Sequence, residues 1–307
     1  MMKEKRYEGH QKESTDFNVK KKHRKYHGGS VFGQVMYRLS KNRTAMIGLI
    51  ILVLVILSSF IVPPLCQYGY NDMNLADRFM APCSKHWFGT DAYGRDVFVR
   101  IMYGARFSLL LGLSGALFGL CLGVILGLIN GYIGGSFDIV FMRVIDIISS
   151  IPGTLLAITI SMALGPGFIN TIIALSVGSV PLIIRLLRGE ILRVRGEEYL
   201  EAAVSINASP VRIMFKHMLP NVISPIIVNT TMSVGSIITE AAALSYLGLG
   251  IQPPNPEWGA MLSDGRQYIQ YYPWLIIIPG CAIALVVLSV NLFGDGLRDA
   301  IDPKLKR

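Results

Sequence analysis

The chain has 307 residues, 52% of them hydrophobic and 16% charged, with a formal net charge of +9. An average soluble domain carries about 25% charged residues, and here the deficit is concentrated: no Asp, Glu, Lys or Arg occurs in 44–71, 107–137, 147–184, 218–239 or 267–294. Crossing a bilayer core takes about 20 apolar helical residues, so these runs exclude a soluble globular protein and point to an all-α integral membrane protein, helices being the way such runs satisfy their backbone in lipid.

In chain order, residues 1–30 are polar and end in His27-Gly28-Gly29-Ser30, which reads as a disordered basic tail. No cleavable signal peptide is expected, because the first 44 residues are polar and the first span is long enough to anchor. Val31, Val35 and Leu39 give 31–43 an amphipathic spacing, as in a helix lying along the inner membrane surface. Six spans follow. They are Ala45–Val62, Phe107–Ile129, two from the run 147–184 divided at Gly165-Pro166-Gly167, then Ser224–Leu247 and Pro273–Phe293. The segments are a tail 1–30, an N-terminal piece 31–80 with the first span, an outer loop 81–106, a five-helix unit 107–294 and a tail 295–307.

Lys and Arg are distributed unevenly about these spans. Twelve lie in 1–44, one in 130–143, six in 185–223 and four in 294–307. The alternating segments hold five in 63–106, none in 163–168 and one in 248–272, so the split is 23 against 6. The positive-inside rule puts both termini and the segment 185–223 in the cytoplasm. The net charge therefore reads as topology, with Lys20–Lys25 on anionic lipid or solvated, and no nucleic-acid partner is expected.

Several positions inside the spans stand out. Gly115, Gly119, Gly123 and Gly127 recur every four residues, which makes a helix face that another backbone can approach closely. Arg143 and Asp146 are three apart and can meet on one face. Glu240 lies about 10 Å from the outer end of its span by helix rise, either as a structural pair or as a residue lining a pathway. Cys66 and Cys83 share the outer loop, where pairing and free thiols are the alternatives. Cys83 and His86 are two ligands and make no metal site.

Chemistry is sparse. No GxxxxGK[ST] occurs, so this chain has no P-loop for nucleotide phosphates, and no HExxH suggests a zinc protease. The runs 147–184 and 267–294 hold no carboxylates of the kind proton pumps use. A membrane enzyme has no motif behind it. A pathway or a scaffold remains, either a self-contained channel or carrier, or a subunit that takes its energy from elsewhere.

The segment Glu197–Asn221 breaks the apolar pattern. Glu, Leu and Ala over 197–206 favour helix. Asn207 tolerates the left-handed conformation that closes one. Ser209-Pro210 then supplies an N-cap and a first helical position. Val211, Met214, Phe215 and Met218 predict an apolar face on the second helix, with Arg212 and Lys216 on another. The result is a short helical elbow, which either lies on the membrane surface or docks a cytoplasmic partner.

The string EAAVSINASPVRIMFKHMLPN resembles the EAA loop of ABC-importer permeases. Glu201, Ala202, Ala203, His217, Leu219, Pro220 and Asn221 match that pattern, and Asn207 stands where the family has Gly. HWFGTDAYGRDVFVRIMYGARFSL (86–109), LSYLGLGIQPPNPEWGAMLSDGR (244–266) and NLFGDGLRDAIDPKLKR (291–307) resemble the C-type permease subunit of the dipeptide, oligopeptide and nickel importer family. The resemblance implies a type I ABC importer permease fold with six transmembrane helices. It implies a homologous second permease, two cytoplasmic ABC ATPase subunits and an extracytoplasmic solute-binding protein. It implies no cofactor on this chain, with ATP and Mg handled by the partner subunits. On that pattern Glu201 orients or caps the elbow, and Ala202 and Ala203 offer a small docking surface. Asn207 makes the turn, and His217, Pro220 and Asn221 fix the exit into the fifth span. The implied cargo is a dipeptide or oligopeptide, with nickel or another metal chelate as the alternative.

Overall fold

Each charge-free run folds as helix in the computed structural model, which describes residues 31–301. The expected tail 1–30 and residues 302–307 of the expected C-terminal tail lie outside the described residues. We number the helices α1 (Val31–Lys41), α2 (Arg43–Leu65), α3 (Val97–Ile133), α4 (Gly135–Ser149), α5 (Gly153–Leu164), α6 (Phe168–Val194), α7 (Glu198–Ser205), α8 (Pro210–Tyr246), α9 (Trp258–Gly265) and α10 (Trp274–Ile301). Among the described residues there is no named strand, only an isolated bridge between Thr90 and Asp96.

Helices α2, α3, α6, α8 and α10 are long and apolar enough to cross a membrane, and the count is six if α4 and α5 form one bent span. That pair is where the sequence reading needs refinement. The run beginning at 147 predicts a straight third span, but α4 and α5 meet at 84°. Pro152 disfavours helix at the residue before it and offers no N–H of its own. Alone, the 12-residue α5 is about 18 Å long, well short of the ~30 Å hydrocarbon thickness. The division at Gly165-Pro166-Gly167 separates α5 from α6, with Gly165 at φ +80° and Gly167 at φ +148°.

Helix α3 is the axis of the bundle. Its 37 residues reach about 55 Å, and it packs on α6, α8 and α2. The glycine face explains how it approaches its neighbours. A Cβ on Gly115 would lie 3.0 Å from Ile237 of α8, and on Gly123 2.6 Å from Ile183 of α6. On Gly127 it would lie 3.0 Å from Leu187 of α6, and on Gly119 it would meet Ser179. Gly131 continues the same spacing against Ile191 at 2.6 Å, so the stripe runs one step beyond the four glycines that the sequence singles out.

Helix α1 was expected along the membrane surface. Its apolar side packs on the protein, with Leu39 buried beside Ala45 and Ala300, and Val35 against them. At the end of the bundle away from α7, Asp96 does two jobs. One oxygen caps α3 by accepting from Val99 N–H (2.9 Å), and the other sits 2.7 Å from His86 Nδ1. Glu257 caps α9 by accepting from the N–H groups of Gly259 (2.9 Å) and Ala260 (2.8 Å). It is 1% exposed, and burial pushes its carboxyl above the usual range against the lowering pull of those bonds. Cys66 and Cys83 are both free.

Candidate functional site at the helical elbow

The elbow is built from α7, a four-residue turn and the first turns of α8. The turn is a Schellman motif. Asn207 has φ +56°, Ala208 N–H bonds Ala203 C=O (3.1 Å) and Asn207 N–H bonds Val204 C=O (2.9 Å). Gly is the usual residue in such a position because it carries no Cβ penalty; Asn is among the few others that visit it routinely. Ser209 Oγ then accepts from Arg212 N–H (3.4 Å) with Pro210 at the first helical position.

The second arm is not a regular α-helix at its start. Residues Ile213–Met218 are π-helical, and this changes which face is buried. The expected apolar face was Val211, Met214, Phe215 and Met218. Of these, Met218 is buried and Met214 packs against the core; Ile213, five residues before Met218, joins them, and the face continues through Val222 and Ile226. Val211 is 62% exposed and Phe215 48%. The wider π turn shifts register by about one residue, so side chains that an α-period places inside face outward.

The buried side joins the core under the elbow, where Leu200, Ala203, Ile213 and Met218 pack on Leu128, Leu187 and Ile191. This corrects one expectation. Ala203 is 3% exposed and belongs to that core, so of the two alanines only Ala202 offers surface. A second correction concerns Glu201. Its side chain is exposed, and it has no hydrogen bond or ion pair among the described residues; α7 has no side-chain cap at its N-terminus. Glu201 instead lines an open cavity together with Tyr132, Ile133, Arg195, Val204 and Ser205. Tyr132 and Arg195 were not singled out from sequence, and neither lies in the motif.

At the exit into α8, Asn221 Nδ2 donates to His217 C=O (2.8 Å). Leu219 and His217 are half-buried, and Pro220 is exposed. Charges outside the motif tie α4 to α6 and α3. Asp138 of α4 accepts both Nε and Nη2 of Arg188 on α6 at 2.6 Å each, and also accepts from Asn130 of α3 at 2.7 Å.

The remaining candidates lie away from the elbow core. Arg143 and Asp146 are both exposed and do not pair with each other; Asp146 reaches Arg185 of α6 at 3.0 Å. Glu240 is half-buried in the C-terminal half of α8, far along the helix from the elbow. Among the described residues no group of three His, Cys, Asp or Glu side chains could hold a metal ion.

The family model described as binding-protein-dependent transport system inner membrane component matches residues 119–307. A second, described as the N-terminal TM domain of oligopeptide transport permease C, matches residues 30–82. The dipeptide transport system permease protein DppC of Alkalihalophilus pseudofirmus is 46% identical over 281 residues, 92% of each chain. The oligopeptide transport system permease protein OppC of Bacillus subtilis is 40% identical, over 91% of each chain. The glutathione transport system permease protein GsiD of Shigella flexneri is 45% identical, over 86% of each. Among solved structures, an inward-facing MetNI methionine ABC transporter matches with a TM-score of 0.53 at 20% identity, covering 66% of this chain and 96% of that one. That likeness extends to the fold.

Proposed function

Because this chain belongs to the family of binding-protein-dependent transport system inner membrane components, we propose that it forms half of the translocation path of an ATP-driven importer and receives the ATPases' motion at its elbow. It is a transport subunit rather than an enzyme, and a multi-pass protein of the bacterial inner membrane. A homologous second permease completes the path, two cytoplasmic ATPases supply the P-loop this chain lacks, and an extracytoplasmic binding protein delivers cargo. Both termini and the elbow lie on the cytoplasmic side, as the positive-inside split requires. Relatives named for dipeptide, oligopeptide and glutathione transport support a peptide-class cargo.

The observation that carries the docking role is the outward surface of a rigid elbow. Val204 is 60% exposed, Ile206 75%, Val211 62% and Phe215 48%, around an unpartnered Glu201. Exposed apolar groups grouped on one element mark an interaction surface. Rigidity matters to the mechanism. When the ATPases close on ATP they displace the elbow, and a Schellman turn backed by the core around Leu200 and Met218 passes that displacement to α6 and α8 without dissipating it in a loop. Those helices then tilt to alternate access.

Reconstitution tests this reading. Proteoliposomes holding the chain with its second permease, both ATPases and the binding protein are expected to take up peptide only with internal or external ATP on the ATPase side. Proteoliposomes holding this chain alone are expected to show no flux. Peptide flux through the chain alone, independent of ATP, would make it an autonomous channel or carrier.

A further inference from the structure

The outer half of α8 has a surface unlike that of the other long helices. Large apolar side chains stud the outside of those helices, among them Ile50 and Leu54 on α2, Leu113 and Leu117 on α3, and Leu285 and Leu288 on α10. Between residues 228 and 245, all of them described, α8 exposes none. Its exposed positions there are Ser236, Thr239 and Ala243, with Glu240 half-buried among them. Ser236, Glu240 and Ala243 are four and three residues apart and share one face. The Thr239 hydroxyl donates to Gly235 C=O (3.1 Å), but the Glu240 carboxylate has no hydrogen-bond or ion-pair partner among the described residues.

A lipid-facing helix surface is apolar, and an intramembrane carboxylate faces a cavity or a partner. The face carrying Glu240 therefore does not meet lipid. We propose that it lines the substrate path and that Glu240 is a specificity-determining residue, its carboxylate accepting hydrogen bonds from the α-ammonium group of a passing peptide. This rests on the importer reading above. The chemistry suits the cargo class, because peptides of any sequence share that ammonium group. Small neighbours at Ser236 and Ala243 leave room for varied side chains. A half-exposed carboxylate binds a cation weakly enough to release it, as conduction along a path requires.

The test uses the complete complex in proteoliposomes with its binding protein saturated. ATP-driven uptake of a dipeptide is compared with that of its N-acetylated form, in the wild type, in Glu240→Gln and in Glu240→Asp. The same binding protein serves every variant, so its own preference cancels when the ratios are compared. The preference for the free amino terminus is expected to fall about tenfold in Glu240→Gln and to persist in Glu240→Asp. A ratio unchanged in Glu240→Gln overturns the proposal. So does an equal loss of both substrates in both variants, which would make Glu240 an ion-pair partner of the second permease. If the wild-type complex takes up neither peptide with ATP, the importer reading fails, and this proposal with it.

Discussion

Replacing Glu201 with Lys is expected to reduce ATP-driven uptake by about a hundredfold or more while leaving the chain folded and inserted. The two halves of that expectation come from different observations. Glu201 is exposed and unpartnered, so its side chain contributes little to the fold, and surface changes away from special features cost within about 0.5 kcal/mol. The core that holds the elbow is made by Leu200, Ala203, Ile213 and Met218, none of which the substitution touches. On the proposed docking reading, an ATPase subunit covers this carboxylate. Truncating one member of a buried charged contact across an interface costs about 2–5 kcal/mol, and reversing the charge adds repulsion. Ligand-stimulated ATPase activity and uptake should fall together, with membrane insertion and thermal stability unchanged. Full coupled transport by this variant would remove Glu201 from the coupling surface.

The second large effect is structural. Gly259→Ala is expected to destabilise the chain by about 1–3 kcal/mol or more. Gly259 lies in the first turn of α9 where it packs on α8, and a Cβ there would collide with Ala242 Cα and lie 2.7 Å from its carbonyl oxygen. Those are backbone atoms, so relief requires the two helices to part. Ile183, which opposes Gly123, is a side chain and can shift slightly. Such a parting would also disturb Trp258, whose Nε1 donates to Ile101 C=O of α3 (3.0 Å), and so spread to the start of α3. Gly189→Ala is the control. It is exposed on α6 with nothing within 4 Å of an added Cβ, and helix propensity makes that change worth up to about 1 kcal/mol of stabilisation. Thermal unfolding of the two purified variants in the same detergent separates them. Equal stability of Gly259→Ala and Gly189→Ala would contradict the close crossing.

How far the sequence disclosed this molecule depends on the physics at each place. The long helices were legible because lipid admits no charges, and a run without them is a strong signal. The turn at Asn207 was legible because backbone conformation there is a local property of the residue. The glycine face was legible as a face, although its partners, α6 and α8, were not. The buried face at the start of α8 is legible only in part: Met214 and Met218 meet the core as an α-period predicts, while the π turn over 213–218 brings in Ile213 and leaves Val211 and Phe215 outside, and no single residue announces that change. The bend at Pro152 was written in Ile-Pro-Gly but obscured by the absence of charge on both sides of it. The pairing of Asp146 with Arg185 joins residues 39 apart in sequence and lies beyond local pattern. Glu201 and Ala203 were placed together by the motif, yet folding turns one outward and buries the other. Burial of that kind is decided by the core beneath α7 and not by α7 itself.

The elbow as the point where ATPases act is tested most directly by chemical cross-linking. Cysteine is placed at Val204 or Ile206 in a chain whose Cys66, Cys83, Cys121 and Cys281 are replaced by Ser. The expected result is cross-linking of either position to an ATPase subunit in the assembled complex, with a yield that changes between nucleotide-free and ATP-bound states. Labelling of both positions by a membrane-embedded probe, with no ATPase cross-link in either state, would place the elbow on the lipid surface and contradict the coupling role.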